Sequence, residues 1–173
     1  CAIHLLKCYR SVDVFEKIHQ KRCNVLNGVP SMFLAMMYNK KRPEYDLSSI
    51  ESGIIAGSHV SPCDYHKICE TFNFLHLQPS YGQTESSPCI TIADYNDSIN
   101  IKSNTVGKKI NNILLRIYDR NLKKELNTGE IGEIQTKGYH VMKGYYKNPE
   151  ATADAFTDDG WLKTGDQGIM KGK

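Results

Sequence analysis

The chain has 173 residues, a formal net charge of +3, 40% hydrophobic residues and 24% charged residues. This composition is typical of a globular protein with one or two domains. The small net charge, without a long basic block, does not favour a nucleic-acid-binding protein. The sequence also has no apolar run of membrane-spanning length and no three-part signal peptide, which predicts a cytoplasmic protein without a transmembrane segment.

The six cysteines have neither a C-x-x-C pair nor the spacing of a disulfide framework. Reduced cysteines are typical of the cytoplasm. The nearest approach to a metal cluster is "CDYHKIC", which contains Cys63, His66 and Cys69. On a helix these side chains would point in different directions, with Cys69 on the apolar side. We therefore interpret them as structural residues.

The first part of the chain alternates between helical and strand patterns. Asp13 and Glu16 resemble a capping box that opens a helix through "VFEKIHQKR". The short apolar run "CNVLNGV" predicts a strand. Pro30 is then a suitable first residue for the helix "SMFLAMMYNKK", whose Met-rich apolar face we interpret as core.

The alternation continues toward residue 98. "SGIIAGS" predicts a strand, and Ser61 and Pro62 begin a helix. "FNFLHL" and "PCITIAD" predict two more strands. Strands that alternate with helices predict a parallel sheet covered by helices. The helix has apolar residues at the spacing of one buried face: Tyr65, Ile68, Cys69 and Phe72.

The pattern changes after residue 98. A polar connector, "SINIKSNTVGKKI", precedes several short strand patterns separated by turns, and one short helix is capped by Asn148 with Pro149 in its first turn. This part predicts a small antiparallel β unit. The sequence thus predicts an α/β protein with an α/β domain at 1–98 and a β-barrel-like domain at 99–173.

The stretch "SYGQTESSP" follows the third predicted strand, at the end of a parallel strand where α/β proteins bind ligands. Tyr81 offers a flat face for a planar base, and Gly82 permits close approach to the backbone. Thr84 offers a hydroxyl to a phosphate, and Glu85 is a hard oxygen ligand for Mg²⁺ beside phosphates. These residues suit a nucleotide site, but a tight turn with a capping Thr-Glu pair explains them equally well.

Two further stretches favour the nucleotide site. The strand "GIIAGS" ends in the small residues Gly57 and Ser58, which could admit the edge of a base. "GWLKTGD" places Asp166 after a glycine, where a carboxylate can accept hydrogen bonds from both hydroxyls of a ribose. In isolation, T-G-D would be interpreted as an ordinary turn.

In their order and spacing, these stretches resemble the adenylate-forming superfamily of acyl-CoA synthetases, luciferases and peptide-synthetase adenylation domains. "YGQTE" is similar to Y-G-x-T-E, and "VPSMF" is similar to V-P-[ST]-M. "GEIGEIQTKGYHVMKGYYKNPEATADAFTDDGWLKTGD" contains M-x-G-Y and ends in [WY]-x-x-T-G-D. The resemblance covers nearly the whole chain and is strongest to medium- or long-chain fatty acyl-CoA ligases. Peptide synthetases usually have proline at the position of Gln83.

The resemblance implies roles for individual residues. Thr84, which contacts the α-phosphate, and Glu85, which binds Mg²⁺, are the implied catalytic residues. His59, Gly82 and Ser87 would border the acyl pocket. The implied nucleotide-binding residues are Gly57, Ser58, Tyr81, Gly82, Thr84 and Asp166.

The implied reaction is the ATP-dependent, Mg²⁺-assisted conversion of a fatty acid to an acyl-adenylate, followed by transfer to CoA. Two alternatives remain open: an amino-acid- or aryl-acid-activating enzyme of the same superfamily, and a non-catalytic nucleotide-binding module. The superfamily's phosphate loop, hinge and distal lysine have no match in this sequence. We therefore expect the chain to be the later part of a large N-terminal domain and to be inactive alone.

Overall fold

The computed structural model describes residues 2–172. The chain divides into two compact units: unit 1 comprises Cys1–Tyr81 and Ile92–Lys108, and unit 2 comprises Gly82–Thr91 and Lys109–Lys173. The division into domains at 1–98 and 99–173 stays a prediction. None of the helices among residues 2–172 has the length and apolar character that a membrane span requires.

Unit 1 contains the helices α1 (Ser11–Lys21), α2 (Pro30–Met37), α3 (Pro62–Phe72) and α4 (Ile99–Asn104). The predicted capping box of α1 is wrong, because this helix begins after Arg10 and has no side-chain cap. Asp13 instead lies in the first turn, where its carboxylate accepts a hydrogen bond from Arg10 Nε at 2.7 Å.

Helix α3 is formed as the sequence predicts. Ser61 is its N-cap, and the Ser61 hydroxyl accepts a hydrogen bond from the Asp64 amide at 3.0 Å. The predicted apolar face, Tyr65, Ile68, Cys69 and Phe72, is buried. The helix ends at Asn73, which has the left-handed backbone conformation (φ 53°) common at helix C-termini.

The parallel part of the first sheet consists of β1 (Ser52–Ile55) and β2 (His76–Tyr81), with Ser52 opposite His76 and Ile55 opposite Pro79. Two-residue strands follow, β3 (Thr91–Ile92) and β4 (Lys108–Lys109), and the sheet has the order β1-β2-β3-β4. The segment "CNVLNGV" forms only isolated parallel bridges to β1. The third predicted strand begins later than expected, because α3 and its C-cap occupy the chain as far as Asn73.

The polar connector contains a short helix that the sequence reasoning missed. Ser98 caps α4 by accepting a hydrogen bond from the Ile101 amide. Lys102 of this helix is buried, and its ammonium donates to the Tyr95 carbonyl at 2.7 Å.

The interior of unit 1 is apolar. Phe33, which is fully buried, makes edge contacts with the rings of Phe72 and Phe74. The predicted core role of the Met-rich face on α2 holds for Met36, which is also buried. The core cluster of this unit comprises Val14, Phe15, Ile18, Phe33, Met36, Ile50, Ile55, Tyr65, Ile68, Cys69, Phe72, Phe74 and Leu77.

Unit 2 contains an antiparallel sheet of β5 (Ile113–Asp119), β6 (Lys124–Glu125), β7 (Ile131–Gly138) and β8 (Leu162–Ile169), in the order β6-β5-β7-β8. Helix α5 (Pro149–Ala155) precedes β8, and Asn148 caps it by accepting from the Ala151 amide at 3.1 Å. These findings confirm the predicted α/β class and the antiparallel second part. Within residues 2–172 no pairing joins β6 to β8, so the second sheet is not a closed barrel.

Candidate nucleotide-binding site

The residues of unit 1 that are predicted to contact the base of a nucleotide lie at the carboxyl ends of β1 and β2. Gly57 and Ser58 follow β1 and are exposed, and Tyr81 is the half-buried last residue of β2. Because the two strands are parallel and in register, these residues leave the sheet at the same edge. Gly57 has a φ of +91°, which favours glycine. The contact of these residues with a base stays a prediction.

The packing of the loop requires glycine at position 82, which the sequence did not predict. A Cβ at this position would come within 1.9 Å of the Pro88 carbonyl oxygen, so another part of the protein occupies this direction. The residue is not among those with a positive φ. Gly82 is therefore required by the fold of its own loop, and its contact with a ligand stays a prediction.

The loop after Gly82 forms one 3₁₀ turn, Thr84–Ser86, closed by a capping box between Gln83 and Ser86. The Ser86 hydroxyl is fully buried and accepts from the Gln83 amide at 3.0 Å. The turn interpretation of this stretch is thus correct for the backbone. However, Gln83 and Ser86 form the cap. Thr84 is exposed, and the carboxylate of Glu85 takes no part in the cap.

Glu85 is held from two sides by the segment that follows β7. Its backbone carbonyl accepts a hydrogen bond from the Met142 amide at 2.8 Å. Its carboxylate oxygen Oε1 accepts from the Tyr145 hydroxyl, also at 2.8 Å. The bond to the carboxylate raises the pKa of the Tyr145 hydroxyl above its usual value. The geometry thus fixes both the backbone and the side chain of Glu85.

Sequence reasoning gave Tyr145 and Met142 no role, although both belong to the M-x-G-Y motif. The spacing in sequence, 60 residues between Glu85 and Tyr145, contains no local signal of contact. The one indication in the sequence that these residues matter to the site is that M-x-G-Y follows Y-G-x-T-E in the order of the family's motifs.

Asp166 lies in a bulge of β8. Glu133 of β7 is opposite Gln167, and Gln135 is opposite Lys163, so Thr164, Gly165 and Asp166 together face only one residue of β7. The stretch T-G-D is thus an interruption within a strand, not the turn considered above.

Polar contacts stabilise this bulge. The Thr164 hydroxyl donates to the Ile134 carbonyl at 2.7 Å, and the Gly165 amide donates to Glu133 Oε1 at 3.2 Å. The left-handed backbone of Gly165 (φ +77°) completes the bulge, and Asp166 is exposed.

A stacked arginine fixes the start of β8. The guanidinium of Arg116 lies 4.2 Å from the ring centre of Trp161 and 4.4 Å from that of Tyr118. Its Nε donates to the buried Gln135 side chain at 2.8 Å, and its Nη1 pairs with Asp159 at 3.2 Å. Trp161 belongs to the predicted G-W-L-K-T-G-D motif, so this contact explains the need for an aromatic residue there.

The residues predicted to border an acyl pocket lie in loops. His59 and Ser87 are exposed, and Ser87 ends the 3₁₀ turn with a left-handed backbone (φ 57°). Their role at an acyl pocket stays a prediction, as do the ligand contacts of the other site residues.

Among residues 2–172, no group of three or more His, Cys, Asp or Glu side chains could hold a metal ion. Within "CDYHKIC", Cys69 is buried as predicted, and burial raises the pKa of its thiol to about 11. Cys63 is exposed.

The chain is similar to known proteins over most of its length. Residues 1–146 match the family described as AMP-binding enzyme. The chain is 39% identical to the putative acyl-CoA synthetase YngI of Bacillus subtilis over 92% of its own length and 29% of the relative. It is 35% identical to the mitochondrial medium-chain acyl-CoA ligase ACSF2 of Macaca fascicularis, over 94% of the chain and 26% of the relative.

The fold is similar to that of a luciferase-like enzyme from the nonluminescent Zophobas morio mealworm, with a TM-score of 0.83 and 25% identity. That similarity covers 95% of this chain and 40% of the other. The chain thus spans less than one third of the two curated relatives. The match to residues 1–146, which contain Y-G-Q-T-E and M-K-G-Y, shows that the chain belongs to the AMP-binding enzyme family.

Proposed function

We propose that the chain supplies nucleotide-binding and adenylating groups of an ATP-dependent fatty acyl-CoA ligase, an acid-thiol ligase that forms AMP. The observation that carries the proposal is Glu85. It is the acidic residue of the Y-G-x-T-E motif, and its backbone and carboxylate are both held in place. A carboxylate fixed in this way beside an exposed threonine suits a charged ligand that carries phosphates and a cation.

The chemistry of Glu85 fits Mg²⁺. A carboxylate is a hard oxygen ligand, and Mg²⁺ at phosphates is usually bound by one or two carboxylates, substrate phosphates and water. The Tyr145 hydroxyl uses only Oε1 of Glu85, and a carboxylate has a second oxygen that can accept. When bound, Mg²⁺ neutralises phosphate charge.

The chain's own residues then bind and orient the nucleotide. Tyr81 offers a ring face to the base, beside the open backbone at Gly57 and Ser58. The exposed Thr84 hydroxyl donates to an oxygen of the α-phosphate. Asp166, exposed in the β8 bulge, accepts from the ribose hydroxyls. The substrate carboxylate attacks the α-phosphorus and pyrophosphate leaves; the thiol of CoA then attacks the acyl carbon and AMP leaves.

A fatty acid is the proposed carboxylate. The similarity to a medium-chain acyl-CoA ligase supports this choice, as does Gln83, where peptide synthetases usually have proline. An aryl or amino acid is the competing substrate class.

The experiment uses the full gene product that carries this sequence. Pyrophosphate release is measured with ATP, Mg²⁺ and a panel of carboxylates: fatty acids of several chain lengths, aryl acids and amino acids. We expect release with fatty acids and a strong loss in Glu85→Gln at limiting Mg²⁺, because the amide is a weaker cation ligand. Glu70→Gln, an exposed change on α3, is the matched control.

Different results would contradict different parts of the proposal. Release with aryl or amino acids alone would replace the substrate class. Unchanged kinetics in Glu85→Gln across a Mg²⁺ titration would remove Glu85 from the site. No carboxylate-dependent release with any acid would favour a non-catalytic nucleotide-binding protein.

A further inference from the structure

We propose that Tyr145 is a positioning residue for adenylation: its hydroxyl holds the Glu85 carboxylate in the orientation that presents its other oxygen to a cation. This inference rests on the proposed function, since it assigns Tyr145 through Glu85. The direct observation is the hydrogen bond from Tyr145 Oη to Glu85 Oε1 at 2.8 Å. Tyr145 has no assigned contact with substrate and acts through the carboxylate.

The position of Tyr145 is fixed by the first turn of α5. The Tyr145 amide donates to Thr152 Oγ1 at 2.9 Å, and that hydroxyl donates to the Asn148 carbonyl at 2.7 Å. The Asn148 amide in turn donates to the Tyr145 carbonyl at 3.2 Å. Asn148 is also the N-cap of α5. The backbone of Tyr145 is therefore held against the start of α5 by hydrogen bonds that do not involve Glu85.

Gly144 explains how the chain reaches this arrangement. Its backbone has a φ of +151°, and a Cβ there would lie 2.7 Å from Thr152 Cγ2. Only glycine lets Thr152 approach closely enough to bond with the Tyr145 amide. The G-Y pair of the M-x-G-Y motif thus acts together. The absence of a side chain at Gly144 leaves room for Thr152, and the Thr152 hydroxyl binds the Tyr145 amide.

The Met142 amide holds the backbone of Glu85 from the same segment. With the backbone fixed, the carboxylate still has rotational freedom about its side-chain bonds, and the Tyr145 hydroxyl is the contact that limits it. Holding a ligand group in its binding geometry lowers the entropy cost of binding. Loss of the hydroxyl should therefore weaken cation binding without removing the cation ligand.

The chain offers a matched control in the neighbouring tyrosine. Tyr146 is 87% exposed, and its ring contacts the Lys147 ammonium. Tyr145→Phe and Tyr146→Phe each remove one hydroxyl and keep the ring. A general effect of removing a tyrosine hydroxyl from this segment would appear in both.

The experiment again uses the full gene product. The first measurement is the Mg²⁺ concentration that gives half-maximal pyrophosphate release. We expect Tyr145→Phe to raise it roughly threefold to tenfold, with the KM for the carboxylate unchanged. This factor is smaller than the net value of a hydrogen bond to a charged group, because the bond orients the carboxylate and does not itself hold the cation. Tyr146→Phe should behave as the unmodified protein.

The second measurement needs no turnover. Mn²⁺ binding is followed by electron paramagnetic resonance in the presence of a non-hydrolysable ATP analogue, with Tyr145→Phe, Glu85→Ala and the double variant. We expect Tyr145→Phe to weaken Mn²⁺ binding by a similar factor. In the Glu85→Ala background the same change should have no further effect, because there is no carboxylate left to orient.

The outcomes separate this inference from the proposed function. Unchanged Mn²⁺ binding and activity in Glu85→Ala would contradict the function assigned to Glu85. If Glu85→Ala weakens binding but Tyr145→Phe does not, the positioning role is wrong while the function stands. A full effect of Tyr145→Phe in the Glu85→Ala background, or an equal effect of Tyr146→Phe, would also overturn it.

Discussion

The two units of the molecule differ in how many polar side chains they bury. The core cluster of unit 1, from Val14 on α1 to Leu77 on β2, consists almost wholly of apolar side chains. Unit 2 buries apolar residues such as Ile113 and Ile117 together with a larger set of polar and charged side chains: Arg116, Glu133, Gln135, Thr136 and His140. Unit 1 is therefore stabilised mainly by removal of apolar surface from water. Unit 2 depends on whether each buried polar group finds a partner.

The difference extends to the candidate site. In unit 1 the predicted contacts lie at the carboxyl ends of the parallel strands β1 and β2. In unit 2 Glu85 and the β8 bulge are held by hydrogen bonds to specific side chains. The predicted charged residues of the site, Glu85 and Asp166, thus belong to unit 2, which also buries more polar and charged side chains than unit 1.

The first test of this difference between the units concerns the apolar core of unit 1. Phe33→Ala should lower the free energy of unfolding of unit 1 by about 3–5 kcal/mol, because it leaves a cavity beside Phe72 and Phe74. Native-state hydrogen exchange, followed by mass spectrometry on peptides from α2 and α3, measures the change. Leu75→Ala, at a residue 66% exposed, is the control. Equal effects of the two changes would contradict the role of Phe33 packing in the stability of unit 1.

The second test concerns the stacked arginine of unit 2. Arg116→Ala should lower the free energy of unfolding of unit 2 by about 2–3 kcal/mol. The change leaves the buried Gln135 side-chain oxygen without its donor and removes the stacking contact with Trp161. Exchange in peptides from β5 and β7 reports the loss. Arg116→Lys should recover only part of it, because lysine keeps the charge but not the flat guanidinium. Full recovery by lysine would show that charge alone matters here.

Local sequence signals predicted the elements whose geometry is set locally. The spacing of Tyr65, Ile68, Cys69 and Phe72 identified the buried face of α3, and Asn148 identified the start of α5. The predicted cap at Asp13 was wrong, because a nearby Arg10 takes the carboxylate as a partner. The sequence pattern is the same whether an acidic side chain near a helix start caps the helix or binds a neighbouring arginine.

The parts that could not be predicted depend on partners distant in sequence. The T-G-D bulge is defined by the register of β8 against β7, which no local pattern encodes. The contact of Tyr145 with Glu85 joins residues in separate motifs. The motifs identified the family, and their chemistry suggested a nucleotide site, but the hydrogen bonds that hold Glu85 required the folded chain.

The smallest expected effect concerns a buried histidine of unit 2. The Thr136 hydroxyl donates to the Leu114 carbonyl at 2.9 Å, so it accepts from His140 Nε2 at 3.0 Å. His140 Nδ1 is buried and has no hydrogen-bond partner among the described residues. A second proton on this ring would therefore have no acceptor, and burial lowers the pKa of His140 below its ordinary value of 6.5.

The direction of the pH dependence follows from this shift. Because the folded state holds the extra proton less well than the unfolded state, the contribution of His140 is complete above about pH 6.5 and is lost as pH falls from there through the lower folded pKa. His140→Asn should reduce this acid-side loss of stability in unit 2, measured by exchange in β7 peptides from roughly pH 7.5 to roughly pH 5, the range in which histidines titrate. If the stability of unit 2 has the same pH dependence in His140→Asn as in the unmodified protein, burial does not keep the His140 ring neutral. In that case the interior of unit 2 tolerates a charged ring at this position.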